Sequence, residues 1–123
     1  MSKSLQLGII NRGLVTLKKK APFLAWLKTL PDPIEISLKE ANEDPMSLLI
    51  PDFENAEEAI DYIRDRFEKL WGFEMERWWE DPEDWEKNLS WKKFNEWFEI
   101  ETSCIVWDLG TEAIERDGDE IIL

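Results

Sequence analysis

Histidine is missing from the sequence altogether, and cysteine occurs once, as Cys104. The first absence removes Ser-His-Asp and Cys-His nucleophilic sites, histidine-ligated zinc or haem, and an imidazole pH switch. The second removes an intrachain disulfide and any cysteine-cluster metal site, which fits a reducing compartment. Cys104 stands in the apolar run Cys104-Ile105-Val106-Trp107 and is expected as a buried, inert thiol. No apolar run approaches the length of a membrane span, and Met1-Ser2-Lys3-Ser4-Leu5 lacks a signal-peptide core. Glycine is scarce as well, and none of the five glycines forms a dinucleotide fingerprint or a Gly-x-Ser-x-Gly elbow. Gly8 and Gly13 have the spacing of a phosphate loop, but Leu14 and Val15 stand where that loop needs lysine and a hydroxyl. These absences predict a soluble cytoplasmic protein that holds no cofactor and no metal.

Positive charge is the next shortage. Fifteen Lys and Arg face 28 Asp and Glu, for a net charge of −13. Direct nucleic-acid binding needs basic surface to neutralise phosphates, and anionic membranes are disfavoured on the same ground. The imbalance has a location: residues 1–50 are net +2 and residues 51–123 net −15. Lys18-Lys19-Lys20 is a small basic spot at the end of a strand signal. Three lysines fall short of a lipid-binding cluster, and all three are expected in solvent.

What is present fits one α+β domain over residues 1–123, with residues 1–10 and 111–123 as loose termini. At 14.6 kDa, roughly two-thirds of the unfolded surface is buried on folding, enough for one core. Gly13–Lys18 is a β-favouring run, with Leu5–Ile10 as a possible hairpin partner. Pro22 opens a helix carrying Phe23, Trp26, Leu27 and Leu30 on one face, and Pro31-Asp32-Pro33 ends it. Ser37 and Glu40 have capping-box spacing for a short helix, and Met46–Ile50 reads as a second strand. The stretch between these two strands is long enough for a crossover, which allows them to be parallel. Asn55 caps a long helix that keeps Ala59, Ile60, Ile63, Phe67, Leu70, Trp71 and Trp78 on one face for about six turns, with Gly72 as a kink or end. Phe73 and Met75 fall on another face of it, implying deeper burial or a contact surface. Asp81-Pro82 starts a short turn, and Ser90 caps a helix in which Trp91, Phe94, Trp97 and Phe98 share a side. Thr102–Leu109 is the strongest strand signal, with Trp107 buried. The order β-α-α-β-α-α-β implies a small sheet of about three strands covered by helices. Asp117-Gly118 marks a turn, and the apolar end Ile121-Ile122-Leu123 is left open between docking and not.

Eight tryptophans stand against one tyrosine, and the densest group lies in Glu74–Glu86, where seven acids accompany only Arg77. The candidate interaction patch is therefore Glu74, Glu76, Trp78, Trp79, Glu80, Asp81, Glu83, Asp84, Trp85 and Glu86. One reading turns the indoles inward and leaves the acids as a solvated face. The other is an aromatic-acidic surface that meets a basic protein partner, since tryptophan anchors and charge complementarity recur at interfaces. Eight indoles are hard to bury fully in so small a core, because each N–H wants a partner. Carboxylate catalysis is the competing class: Glu76 and Glu80 lie at i, i+4, and Trp78, Trp79 and Trp85 could stack on sugar rings. With 28 acids, however, some such pair arises by chance. A helical di-metal site needs Glu-x-x-His pairs that this chain does not have. Asp117-Gly118-Asp119-Glu120 lacks the ligand series of a calcium loop.

Four segments carry a resemblance: Asn11-Arg12-Gly13-Leu14-Val15-Thr16-Leu17-Lys18, Pro22-Phe23-Leu24-Ala25-Trp26-Leu27, Leu49-Ile50-Pro51-Asp52-Phe53 and Phe94-Asn95-Glu96-Trp97-Phe98-Glu99-Ile100. Together the chain resembles a family of small acidic bacterial proteins with no assigned activity, over roughly residues 11–109. The shared motifs are structural, so the resemblance implies a bacterial cytoplasmic origin and carries no catalytic residue. The sequence favours a non-enzymatic acidic module that binds a basic partner through its tryptophan-rich half. The alternative is a carboxylate-dependent enzyme or carbohydrate-binding protein using exposed tryptophans.

Overall fold

A computed structural model describes residues 4–118. In chain order the elements are β1 (Gly8–Ile9), β2 (Arg12–Lys19), α1 (Ala21–Lys28), α2 (Leu38–Ala41), β3 (Met46–Pro51), α3 (Ala56–Arg64) and α4 (Phe67–Glu76). A 3₁₀ turn (Pro82–Asp84), α5 (Trp91–Trp97), β4 (Phe98–Ser103) and β5 (Trp107–Asp108) complete them. The fold is α+β: a three-stranded sheet ordered β3-β2-β4, five helices, and a separate two-stranded ribbon of β1 and β5. The undecided apolar end, Ile121-Ile122-Leu123, lies outside the described residues, as do Met1-Ser2-Lys3.

The sheet is antiparallel throughout, which corrects the parallel reading of its first two strands. Leu17 pairs with Met46, so β3 starts beside the place where β2 ends. Asn42 fixes that return: its Oδ1 accepts from the Lys19 N–H at 2.8 Å and its Nδ2 donates to the Lys19 carbonyl at 2.9 Å. The helical excursion between the strands leaves the end of β2 and is tied back to the same end.

Along β2 the side chains alternate, with Gly13, Val15, Leu17 and Lys19 buried on the helix-facing side. Against that side pack Phe23, Trp26 and Leu27 of α1, Ile63 of α3, Trp71 and Met75 of α4, and Phe94, Trp97 and Phe98. Trp71 sits among aromatic edges, with centroids 5.0 Å from Trp97, 5.8 Å from Phe94 and 6.2 Å from Phe98. Such tilted contacts add to area burial. Its Nε1 is the one buried side-chain polar atom without a hydrogen bond among the described residues.

The capping signals at Ser37, Asn55, Asp81 and Ser90 all receive backbone N–H groups at their helix starts. The long helix, by contrast, is two. It breaks at Asp65–Arg66 rather than at Gly72. Arg66 leaves helical geometry at φ −130° and ψ 3°, and its N–H turns to the Ile63 carbonyl at 2.9 Å. Its guanidinium takes over the freed Tyr62 carbonyl at 3.0 Å and lies 3.6 Å from the Tyr62 ring centroid. A single side chain thus satisfies the break it accompanies.

The last strand is also displaced. It begins at Phe98, directly after α5, and ends at Ser103; a bend at Cys104 separates it from the two residues of β5. Cys104 and Trp107 are consequently exposed, not buried. The segment Leu5–Ile10 contributes β1, whose partner is β5 and not the neighbouring β2, with Ile9 opposite Trp107.

Candidate interaction surface

The acidic, tryptophan-rich block sends one carboxylate into the core. In β2 the alternation that buries Val15 and Leu17 carries Lys19 inward next. In α4 the buried stripe of Trp71 and Met75 includes Glu74 at the same helical spacing. The two meet as a buried ion pair with Nζ and Oε1 at 2.7 Å. Lys19, expected in solvent, is 3% exposed, and Glu74, expected on an acidic surface patch, is 1% exposed.

Both partners are well satisfied. The Lys19 ammonium also donates to the Ala41 carbonyl at 3.3 Å and lies 5.6 Å from the Phe23 ring centroid and 5.5 Å from that of Trp78. Glu74 accepts from Arg77 Nη1 at 3.0 Å and from Trp78 Nε1 at 3.3 Å. Desolvation of two charges is tolerable only with this degree of compensation. The pair therefore fixes where α4 sits on the sheet more than it adds net stability.

Beyond Glu74, indole N–H groups pin the rest of the block. Trp79 Nε1 donates to Asp84 Oδ2 at 2.9 Å, and Trp85 Nε1 donates to the Trp79 carbonyl at 2.7 Å. From α1, Trp26 Nε1 reaches the Asp84 carbonyl at 2.9 Å. Asp81 spends a side-chain oxygen on the Glu83 N–H at 3.0 Å. Glu86 accepts from the Asn88 N–H at 3.0 Å and pairs with Lys93 at 3.4 Å. The ten candidate residues thus divide into three groups. Glu74 is buried; Trp78, Trp79, Asp84, Trp85 and Glu86 are half-buried; Glu76, Glu80, Asp81 and Glu83 are exposed. The indoles are neither core nor free anchors: their rings pack on the core and their polar edges hold the chain.

Folding Trp85 back toward α4 leaves a groove of about 980 Å³. Phe73, Trp85, Leu89 and Pro82 supply apolar lining, and Glu68, Glu76 and Glu86 stand with Lys69, Arg77 and Lys87 around them. Gly72 does not kink the helix. A Cβ there would stand 3.8 Å from Trp85 Cζ3, so glycine leaves open the space between helix and indole. The split between Phe73 and Met75 is resolved in the same region: Met75 is in the core and Phe73 is exposed at the groove. Phe73, Gly72 and Leu89 were not among the candidate residues, although the second apolar face of the α4 sequence points to Phe73.

The Glu76–Glu80 spacing does not place two acids on one helical face, because α4 stops at Glu76. Among the described residues, no group of three or more acidic or cysteine side chains is arranged to hold a metal ion. No helix among them is long and apolar enough to cross a membrane. Comparison with protein-family models, curated proteins and solved structures finds no match to this chain.

Proposed function

We propose that this protein is a non-enzymatic interaction module of a bacterial cytoplasm, which takes a basic protein partner at the groove between α4 and Trp85. The observation that carries the proposal is the groove itself: an apolar floor at Phe73, Trp85 and Leu89, rimmed by Glu68, Glu76, Glu86 and Asp117 together with Lys69, Arg77 and Lys87, in the half of the chain that is net −15. A partner segment with an apolar anchor fits that floor, and the net acidity of this half, more than the mixed charges of the rim, selects flanking Lys or Arg. The acidic field of the same half favours encounter with such a partner. Trp85 is held by its bond to the Trp79 carbonyl, so little side-chain ordering is left to oppose binding.

The test is parallel capture from a lysate of the source cells with the wild-type protein and with Phe73→Asp, an exposed position where the change leaves the core intact. A basic protein retained in equal stoichiometry, released as salt rises and retained at least tenfold less by Phe73→Asp supports the proposal. Retention of nothing specific at low salt, even after cross-linking, overturns it. So does equal retention by the variant.

A further inference from the structure

Among the described residues, nothing covers one face of the ribbon of β1 and β5. Ile9 pairs directly with Trp107, which puts these two side chains on one side of the ribbon, and Leu5, Leu7, Ile105 and Leu109 follow at alternate positions in the extended segments that flank the two strands. All six side chains are exposed, Leu7 least at 47% and Leu5 most at 72%. The opposite side of the ribbon is turned toward the body of the protein, where Ile10 and Val106 are half-buried and the Ile10 N–H bonds the Val106 carbonyl at 3.0 Å. The apolar face offers on the order of 600 Å² of apolar surface, at the upper end of what a monomer leaves in water.

Charge identifies the occupant. Residues 4–11 contain no charged side chain, and residues 103–111 contain only Asp108, in a chain where 43 of 123 residues are charged. A highly charged partner gains nothing from such a surface. Two copies of this chain repel one another through their net charge of −13, and the nearly uncharged ribbon is where that repulsion offers least opposition. A face made of the same residues on both sides is also what a two-fold interface requires. Its area approaches the roughly 800 Å² per partner of a standard interface. A two-stranded ribbon is marginal in water unless a further layer packs on it.

We infer that the β1–β5 ribbon is a homodimer interface, in which the Leu5, Leu7, Ile9, Ile105, Trp107 and Leu109 face of one copy packs on the same face of a second. The inference is independent of the groove, and salt separates the two. Binding of a basic partner weakens as salt rises, whereas self-association of two acidic copies through an uncharged apolar face strengthens.

Sedimentation equilibrium of the full chain across micromolar concentrations, at two salt levels, provides the test alongside Ile9→Glu and Trp107→Glu. The wild type should sediment as a reversible dimer, tighter at higher salt. Each variant should dissociate at least tenfold more readily with an unchanged far-ultraviolet spectrum. In the wild type, the Trp107 fluorescence, isolated by difference from Trp107→Phe, should shift to the red on dilution. A wild type that stays monomeric to hundreds of micromolar overturns the inference, including the outcome in which residues 119–123 of the same chain cover the face. A dimer unaffected by either variant overturns it equally.

Discussion

Lys19 and Glu74 are the two residues whose environment departs most from what charged side chains ordinarily prefer. Each lies within an apolar stripe of its own element, at period two in β2 and at helical spacing in α4. That signal is present in the sequence, but it reads as a pair only once strand and helix are known to face each other. Glu74→Gln should remove the negative charge beside a buried ammonium and cost about 3–5 kcal/mol, measured as the change in urea midpoint. The double change Lys19→Met with Glu74→Leu should lie within about 1 kcal/mol of the wild type or above it, because the desolvation cost disappears with the pair. On the other face of β2, half-exposed Lys18 meets Glu101 at 2.9 Å, and its pKa is raised, first by the hydrogen bond to Glu101 and then by that charge. A lysine raised in the folded state stabilises below its ordinary value of 10.5 and loses the contribution as pH climbs through the raised value. Lys18→Met should therefore lower stability by a small amount that does not vary between pH 6 and 9 and flatten the fall above pH 10.5, as followed by thermal unfolding across that range. Trp107 illustrates the opposite error. Its neighbours are β-branched, but the bend at Cys104 takes it out of the sheet. Trp107→Ala should cost less than about 1 kcal/mol in dilute monomer, by urea unfolding, where burial would cost about 3–5.

At the scale of elements, the starts of helices were legible and their interiors were not. Ser37, Asn55, Asp81 and Ser90 cap where their side-chain chemistry places them, because a cap is a local bond between a side chain and an N–H two or three residues on. Ser90→Ala should accordingly cost about 1 kcal/mol by urea unfolding. The break at Arg66 was hidden, since arginine is a good helix former and the bond that stabilises the break uses its side chain. The start of β4 was hidden for a similar reason. Phe98 continues the aromatic stripe of α5, yet it turns extended to place its ring in the core opposite Lys19. Gly13 belongs at this scale too, because the ring of Phe53 lies across the position its Cβ would take. Gly13→Ala should force that buried ring aside and cost about 1–3 kcal/mol. Much of the loss should be recovered when Phe53→Leu is combined with Gly13→Ala, with the single and double variants compared by urea unfolding.

For the whole molecule, the uneven charge is the feature that outlasts the assignment of elements. The three-stranded sheet and its helical cover were foreseen from the order of elements, while strand direction required the tie between Asn42 and Lys19. The acidic half spends part of its charge internally: Glu74 in the core, Asp84 on an indole, Asp81 on a turn and Glu86 on Lys93. What remains on the surface repels itself, so the unfolding midpoint should rise between about 10 mM and 200 mM salt as the Debye length falls. The groove was only partly legible, since Phe73 showed as a second apolar face but the return of Trp85 over Gly72 depends on tertiary hydrogen bonds. Those bonds are the centre of the account: they make the tryptophan-rich acidic block a braced wall beside a preformed groove, and not a loose aromatic patch. Exchange of the individual indole N–H protons with deuterium, followed by NMR at a concentration where the protein is monomeric, tests this most directly. Trp26, Trp79 and Trp85 should exchange many-fold more slowly than in the urea-unfolded chain, and Asp84→Ala should accelerate Trp79 selectively. Exchange of Trp79 and Trp85 at the unfolded rate in the native protein would contradict it.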